Sequence, residues 1–93
     1  MGLPVKFSET AVDQLKVLSS EKRAIVVQDI EKMAENGIFG VKSVKLVESG
    51  FDSETYRLKV KEEGLDHRVF FRLAEGTEII VDSIIHRDQA YQD

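Results

Sequence analysis

The sequence predicts an α+β domain: an N-terminal strand and a helical hairpin packed on a mainly antiparallel sheet of four to five strands. Three observations carry this reading. Apolar residues recur at helical spacing up to about residue 34, and after Gly40 they alternate with polar ones, so the period changes from 3.6 to 2. The helical segments are segregated in the first part of the chain instead of interleaving with the strands. The final segment, with Ile79, Ile80, Val81, Ile84 and Ile85, is apolar on both faces, as an interior strand is.

Taken in order, "PVKF" is a short first strand, with Pro4 tolerated at its start. Ser8 is an N-cap for a helix over residues 8–18, with Glu9 at the positive end of its dipole. Ala11, Leu15 and Leu18 give that helix one apolar stripe. Ser19 or Ser20 caps a second helix over 20–35, whose buried face is Val26, Ile30, Met33 and Ala34. "ENG" supplies its stop, with Gly37 suited to a left-handed conformation. Strands follow at 41–47, 55–61, 67–73 and 77–85, separated by the turn-like "ESGFDS", "EEGLD" and "AEGT". Combining the two periods predicts a core of Leu15, Val26, Ile30, Leu46, Leu58, Val60, Val69, Phe71, Val81 and Ile84.

All 93 residues form one expected domain, 1–93, which buries roughly 60–65% of its extended-chain surface. That leaves no mass for a deep pocket, so a site is expected on a surface or shallow groove. The chain has no cysteine, which excludes disulfides and thiolate metal sites. Nothing has metal-ligand spacing, and no cofactor is expected. The longest apolar runs are far too short to span a bilayer. "MGLPVKF" lacks the regions of a signal peptide, so a cytoplasmic setting without a membrane is expected. With 13 Lys and Arg against 17 Asp and Glu the net charge is −4, unlike a general nucleic-acid binder. Any polyanion site must then be local.

The residues 55–73 offer one. Pairing Val60 with Val69 sets Leu58 against Phe71 and Tyr56 against Leu73 on an inward face. It sets Lys61 near Arg68, Lys59 beside Phe70, and Arg57 opposite Arg72 on the other. Like charges directly opposite cost a few tenths to about 1 kcal/mol, so folding alone would prefer other residues. A solvated strand face that discourages edge pairing accounts for such cations too. The alternative is a shallow phosphate-binding face with Phe70 as a stacking ring. "HRDQAY" adds His86, Arg87 and Tyr91 at the exit of the last strand. By strand parity His67 points away from the face of Arg68, and His86 sits opposite Arg87 unless the chain turns there.

In its "YRLKV", the arginine of "HRVFF" and the closing "IIHRDQAY", the chain resembles the RelE/ParE toxin superfamily over nearly its whole length. The resemblance implies a toxin of a type II toxin-antitoxin system. In the RelE branch it implies a ribosome-dependent endoribonuclease that cuts mRNA and inhibits translation. Its partners would be a cognate antitoxin, the ribosome and mRNA, with DNA reached only through the antitoxin. The catalytic set would be Arg57, Lys59, Arg68, Arg87 and Tyr91, with Lys61, Phe70, Arg72 and His86 as RNA-binding residues.

The implied reaction is attack of an RNA 2′-OH on the adjacent phosphorus, giving a 2′,3′-cyclic phosphate without a metal. Arg57, Arg68 and Arg87 would stabilise phosphoryl charge, since guanidinium forks match phosphate oxygens. Lys59 would stabilise charge or donate a proton. Tyr91 would be the base if nearby cations favour its phenolate, with His86 the next choice. Two other functions share the fold: a ParE-like gyrase inhibitor, and an inactive toxin-fold protein that acts as an antitoxin-binding regulator.

Overall fold

The computed structural model describes residues 2–38, 44–49, 54–62, 64–75 and 77–90. β1 (Val5–Phe7) leads into α1 (Glu9–Lys16) and α2 (Ser20–Asn36), followed by β2 (Val44–Ser49), β3 (Glu54–Val60), β4 (His67–Ala74), β5 (Glu78–His86) and a short α3 (Arg87–Ala90). The strand order is β1-β5-β4-β3-β2. β1 runs parallel to β5 and the other neighbours are antiparallel. The expected α+β architecture is the observed one, with β5 inside the sheet between β1 and β4.

Local chemistry sets the helix ends. The Ser8 hydroxyl accepts from the Ala11 N–H (3.0 Å) and donates to the Asp82 carbonyl (2.7 Å), so one side chain caps α1 and ties it to β5. Ser19 caps α2 by accepting from the Lys22 N–H. From α2, Arg23 donates to the carbonyls of Leu15 and Leu18, both at 3.0 Å, and so satisfies the end of α1. Gly37 ends α2 at φ 84°, ψ 132°, a positive φ that favours glycine, though ψ lies outside the expected left-handed helical region.

The core lies between the helices and one face of the sheet. Val26, Ile30, Val60, Val69, Phe71, Ile79 and Val81 are fully enclosed, with Leu58 and Ile84 close to it. The Phe71 ring stacks on Tyr56 with centroids 5.5 Å apart. Leu15 is half-buried against this cluster. Leu46 corrects the expected core: it is 53% exposed. α1 packs on β5 and α2 on β3, and Leu46 lies one strand further out on the sheet edge. Among the described residues no helix is long and apolar enough to cross a membrane.

The β3–β4 register is a second correction. Val60 pairs with His67, Leu58 with Val69 and Tyr56 with Phe71, two residues from the expected pairing. A slip of two keeps every side chain on its face, because strands alternate with period two. It does change who faces whom. Arg57 lies opposite Phe70, Lys59 opposite Arg68, and Arg72 opposite Thr55.

Candidate functional site

The face of the sheet turned away from α1 and α2 carries rows of side chains that cross several strands. One row is Lys45, Arg57, Phe70 and Ser83, from β2 to β5. The next is Lys59, Arg68 and Ile85, and beyond the first row on its other side lie Thr55, Arg72 and Ile80. Neighbouring strands are about 4.8 Å apart, so each row places its members within reach of one ligand. Lys59 and Lys45 are exposed, while Arg57 and Phe70 are half-buried. Arg57, Lys59, Arg68, Phe70 and Arg72 therefore share one face, with an aromatic ring in the middle.

Arg68 is not the open phosphate contact that alternation alone implies. It is only 3% exposed, and its Nη1 donates to the Asp66 carboxylate at 2.8 Å and to the His67 carbonyl at 3.2 Å. A buried arginine of this kind needs a counter-charge close by. Hydrogen bonding from Arg68 holds the Asp66 carboxyl below the usual carboxylate range, and the charges of Arg68, Lys61 and Arg87 act in the same direction. Of these three cations, Arg68 is the one that contacts the Asp66 carboxylate, and Lys61 and Arg87 act on it through charge alone. The backbone assists, since the Arg87 N–H donates to the Asp66 carbonyl at 2.8 Å and holds the start of α3 against the β3–β4 connection.

Arg72 is also engaged. A β-bulge in β5 lets Phe71 pair with Val81 and Phe70 with Ser83, leaving Asp82 as the extra residue. Arg72 forks onto the Asp82 carboxylate at 2.8 and 3.0 Å. Its charge is thus matched within the protein, while the side chain stays 42% exposed. The same bulge turns the Ile84 N–H toward the Gln14 side-chain carbonyl of α1, which accepts it.

His86 lies on the opposite face from the cations. It pairs directly with His67, their rings meeting edge-on at 5.3 Å, and His67 shares the helix-bearing face with Val60 and Val69. Parity places His67 as expected. His86 also follows parity, because β5 does not turn before it, so it does not join the rows of cations. Burial lowers the His67 pKa, as do the nearby His86 and Lys22. Tyr91 lies outside the described residues.

Two residues of the site were missed in the sequence. Lys45 extends the cationic row onto the edge strand, and its signal was the alternation Val44, Lys45, Leu46. Asp66 was read only as a turn residue, and no sequence period marks a carboxylate that folds back onto a strand two positions later. Among the described residues, no cluster of three or more metal-binding side chains occurs. A groove between β1 and α2, lined by Leu3, Val5, Phe7, Val27, Ile30 and Ala34, opens on the helix-bearing side, away from the cations.

No family model matches the chain, and no curated protein does. Solved structures do. A chain of the archaeal RelE-RelB complex from Pyrococcus horikoshii is 18% identical with a TM-score of 0.73, over 94% of this chain and 97% of that one. A mutant of the E. coli toxin RelE in the free state is 16% identical with a TM-score of 0.72, over 97% and 88%. In the RelB-RelE antitoxin-toxin complex from Methanococcus jannaschii the match is 20% identical with a TM-score of 0.65, over 94% and 95%. At these identities the likeness concerns the backbone, and on it the chain has the RelE-like toxin fold.

Proposed function

We propose that this protein is the toxin of a toxin-antitoxin pair and cuts mRNA on the ribosome. The observation that carries the reading is the run of Lys45, Arg57, Lys59 and Arg68 along one sheet face around Phe70, in a protein of net charge −4. A phosphodiester fits across this face with its oxygens toward the guanidinium and ammonium groups and a base on the Phe70 ring. The 2′-oxygen attacks the adjacent phosphorus as its proton passes to a base, which we assign to Tyr91. The bond to the 5′-oxygen breaks, that oxygen takes up a proton, and a 2′,3′-cyclic phosphate and a 5′-hydroxyl result. Arg57 and Lys59 stabilise the charge that develops on the phosphoryl oxygens. Arg87 joins them from the exit of β5.

An antitoxin partner is proposed because two of the structural neighbours are RelE-RelB complexes. An acidic segment crossing the cationic face, or displacing the residues around Tyr91, suits the local charge. The test is to add the protein to a translating extract and map the 5′ ends of the mRNA. Cleavage within codons being read supports the reading. A second function, an inactive toxin-fold regulator, draws on one observation: Arg68 and Arg72 are already matched by Asp66 and Asp82. That protein would bind its antitoxin and leave mRNA whole.

A further inference from the structure

Asp66 does something that the proposed chemistry does not use. Arg68 of β4 bonds its carboxylate, the Arg87 N–H at the start of α3 donates to its backbone carbonyl, and Lys61 follows directly on β3, its charge and that of Arg87 acting on the same carboxyl. Its contact with Arg68 is a 2.8 Å charge-assisted hydrogen bond to a side chain almost wholly removed from water. Its own side chain is 26% exposed, so the carboxylate is at the boundary between the buried guanidinium and solvent. A phosphate offers the same oxygen geometry to a guanidinium as a carboxylate does.

We propose that the Asp66 carboxylate is a built-in occupant of a phosphate-binding site formed by Arg68, Lys61 and Arg87, and that it competes with RNA phosphate for them. The inference rests on the reading that this face binds RNA, and it adds a regulation to it. In the resting protein Arg68 is neutralised from within. A phosphate must displace Asp66 to engage Arg68, and only a ligand held at several points along the face can do so. A lone phosphate ion, with no purchase on Arg57 or Lys59, is therefore excluded. This limits how strongly an acidic protein binds stray polyanions, and restricts engagement to RNA already positioned by other contacts.

Removing the charge of Asp66 takes away the carboxylate that meets the Arg68 guanidinium at 2.8 Å and opens that place to an anion from solution. The experiment compares wild type, Asp66→Asn and, as a control for net charge, Asp13→Asn on the exposed side of α1. The probes are inorganic phosphate and a short oligouridylate, followed by titration over a range of chloride concentrations. Asp66→Asn should bind the oligonucleotide about tenfold more tightly, with a salt slope steeper by about 0.7, the increment of one added contact to a single strand. Inorganic phosphate should raise its melting temperature by mass action, while wild type and Asp13→Asn respond little. The double variant Asp66→Asn with Arg68→Gln should lose the gain.

Equal or weaker binding by Asp66→Asn overturns the proposal, as does an equal gain in Asp13→Asn or a gain that survives in the double variant. Should Asp66→Asn be unfolded in chloride, phosphate at the same ionic strength should refold it, and failure to do so counts against the proposal. The nuclease reading fails separately. Wild-type protein that cuts no mRNA, beside an Asp66→Asn that gains phosphate affinity, ends the nuclease and keeps the anion site. Cleavage without that gain does the reverse.

Discussion

Phe71 is fully enclosed at the centre of β4 and stacks on Tyr56, so its ring has no route to solvent when truncated. Phe71→Ala should lower the unfolding free energy by about 3–5 kcal/mol in a denaturant titration. A loss below about 1 kcal/mol would mean the ring faces outward. His67 makes a different prediction. Burial, His86 and Lys22 all lower its pKa below the ordinary 6.5, so between that value and the folded one the unfolded chain binds more protons. Stability from this residue is therefore complete above about pH 6.5 and falls as the solution is acidified. His67→Gln should flatten the fall in melting temperature between neutral and mildly acid pH. An unchanged pH profile would place the titration elsewhere. His67 was legible as an inward residue by parity, but not its pairing with His86, which depends on a register that parity does not choose.

The elements show where such reading stops. The face of each strand in the β3–β4 hairpin followed from alternation, and a slip of two residues leaves that alternation untouched. The observed register goes with an ordered connection after Val60. Leu65 is buried there, Gly64 has φ 85°, and the Leu65 N–H donates to the Glu62 carbonyl. A buried leucine inside "EEGLD" has no periodic signature, so the stretch read as a plain turn. Leu46 failed for another reason: its inward face was assigned correctly, but edge position decides burial, and strand order is not written in hydrophobic period. Ser8, by contrast, was legible as a cap. Its second bond, to Asp82, arises from the β5 bulge and was not. Ser8→Ala removes both bonds and should cost about 1 kcal/mol in thermal or chemical unfolding, within the usual range for caps. Since the hydroxyl also ties α1 to β5, hydrogen exchange should quicken at the start of α1 as well. A neutral substitution would show that the backbone bond from Ser8 N to the Val81 carbonyl suffices.

For the molecule as a whole, net charge and site charge point in opposite directions. Glu9, Asp13, Glu21, Glu31 and Glu35 lie exposed on the helices, while Lys45, Arg57 and Lys59 occupy the far face of the sheet. Composition alone argued against a polyanion partner, and only the fold gathers several cations onto one sheet face, although Lys16, Lys22 and Lys32 lie exposed on the helices among the acids. The cation face was therefore legible from strand alternation, whereas its internal neutralisation by Asp66 and Asp82 was not. Single-turnover cleavage of mRNA programmed in the ribosomal A site tests most directly whether this face performs phosphoryl transfer. Wild-type protein should cut. Arg57→Ala should slow the chemical step by about 10²–10³-fold, the usual loss of one charge-stabilising donor. Tyr91→Phe should slow it by about 10²–10⁴-fold, the range for a lost general base, with ribosome binding retained in both. Wild-type protein that binds programmed ribosomes and leaves the mRNA intact would contradict the account.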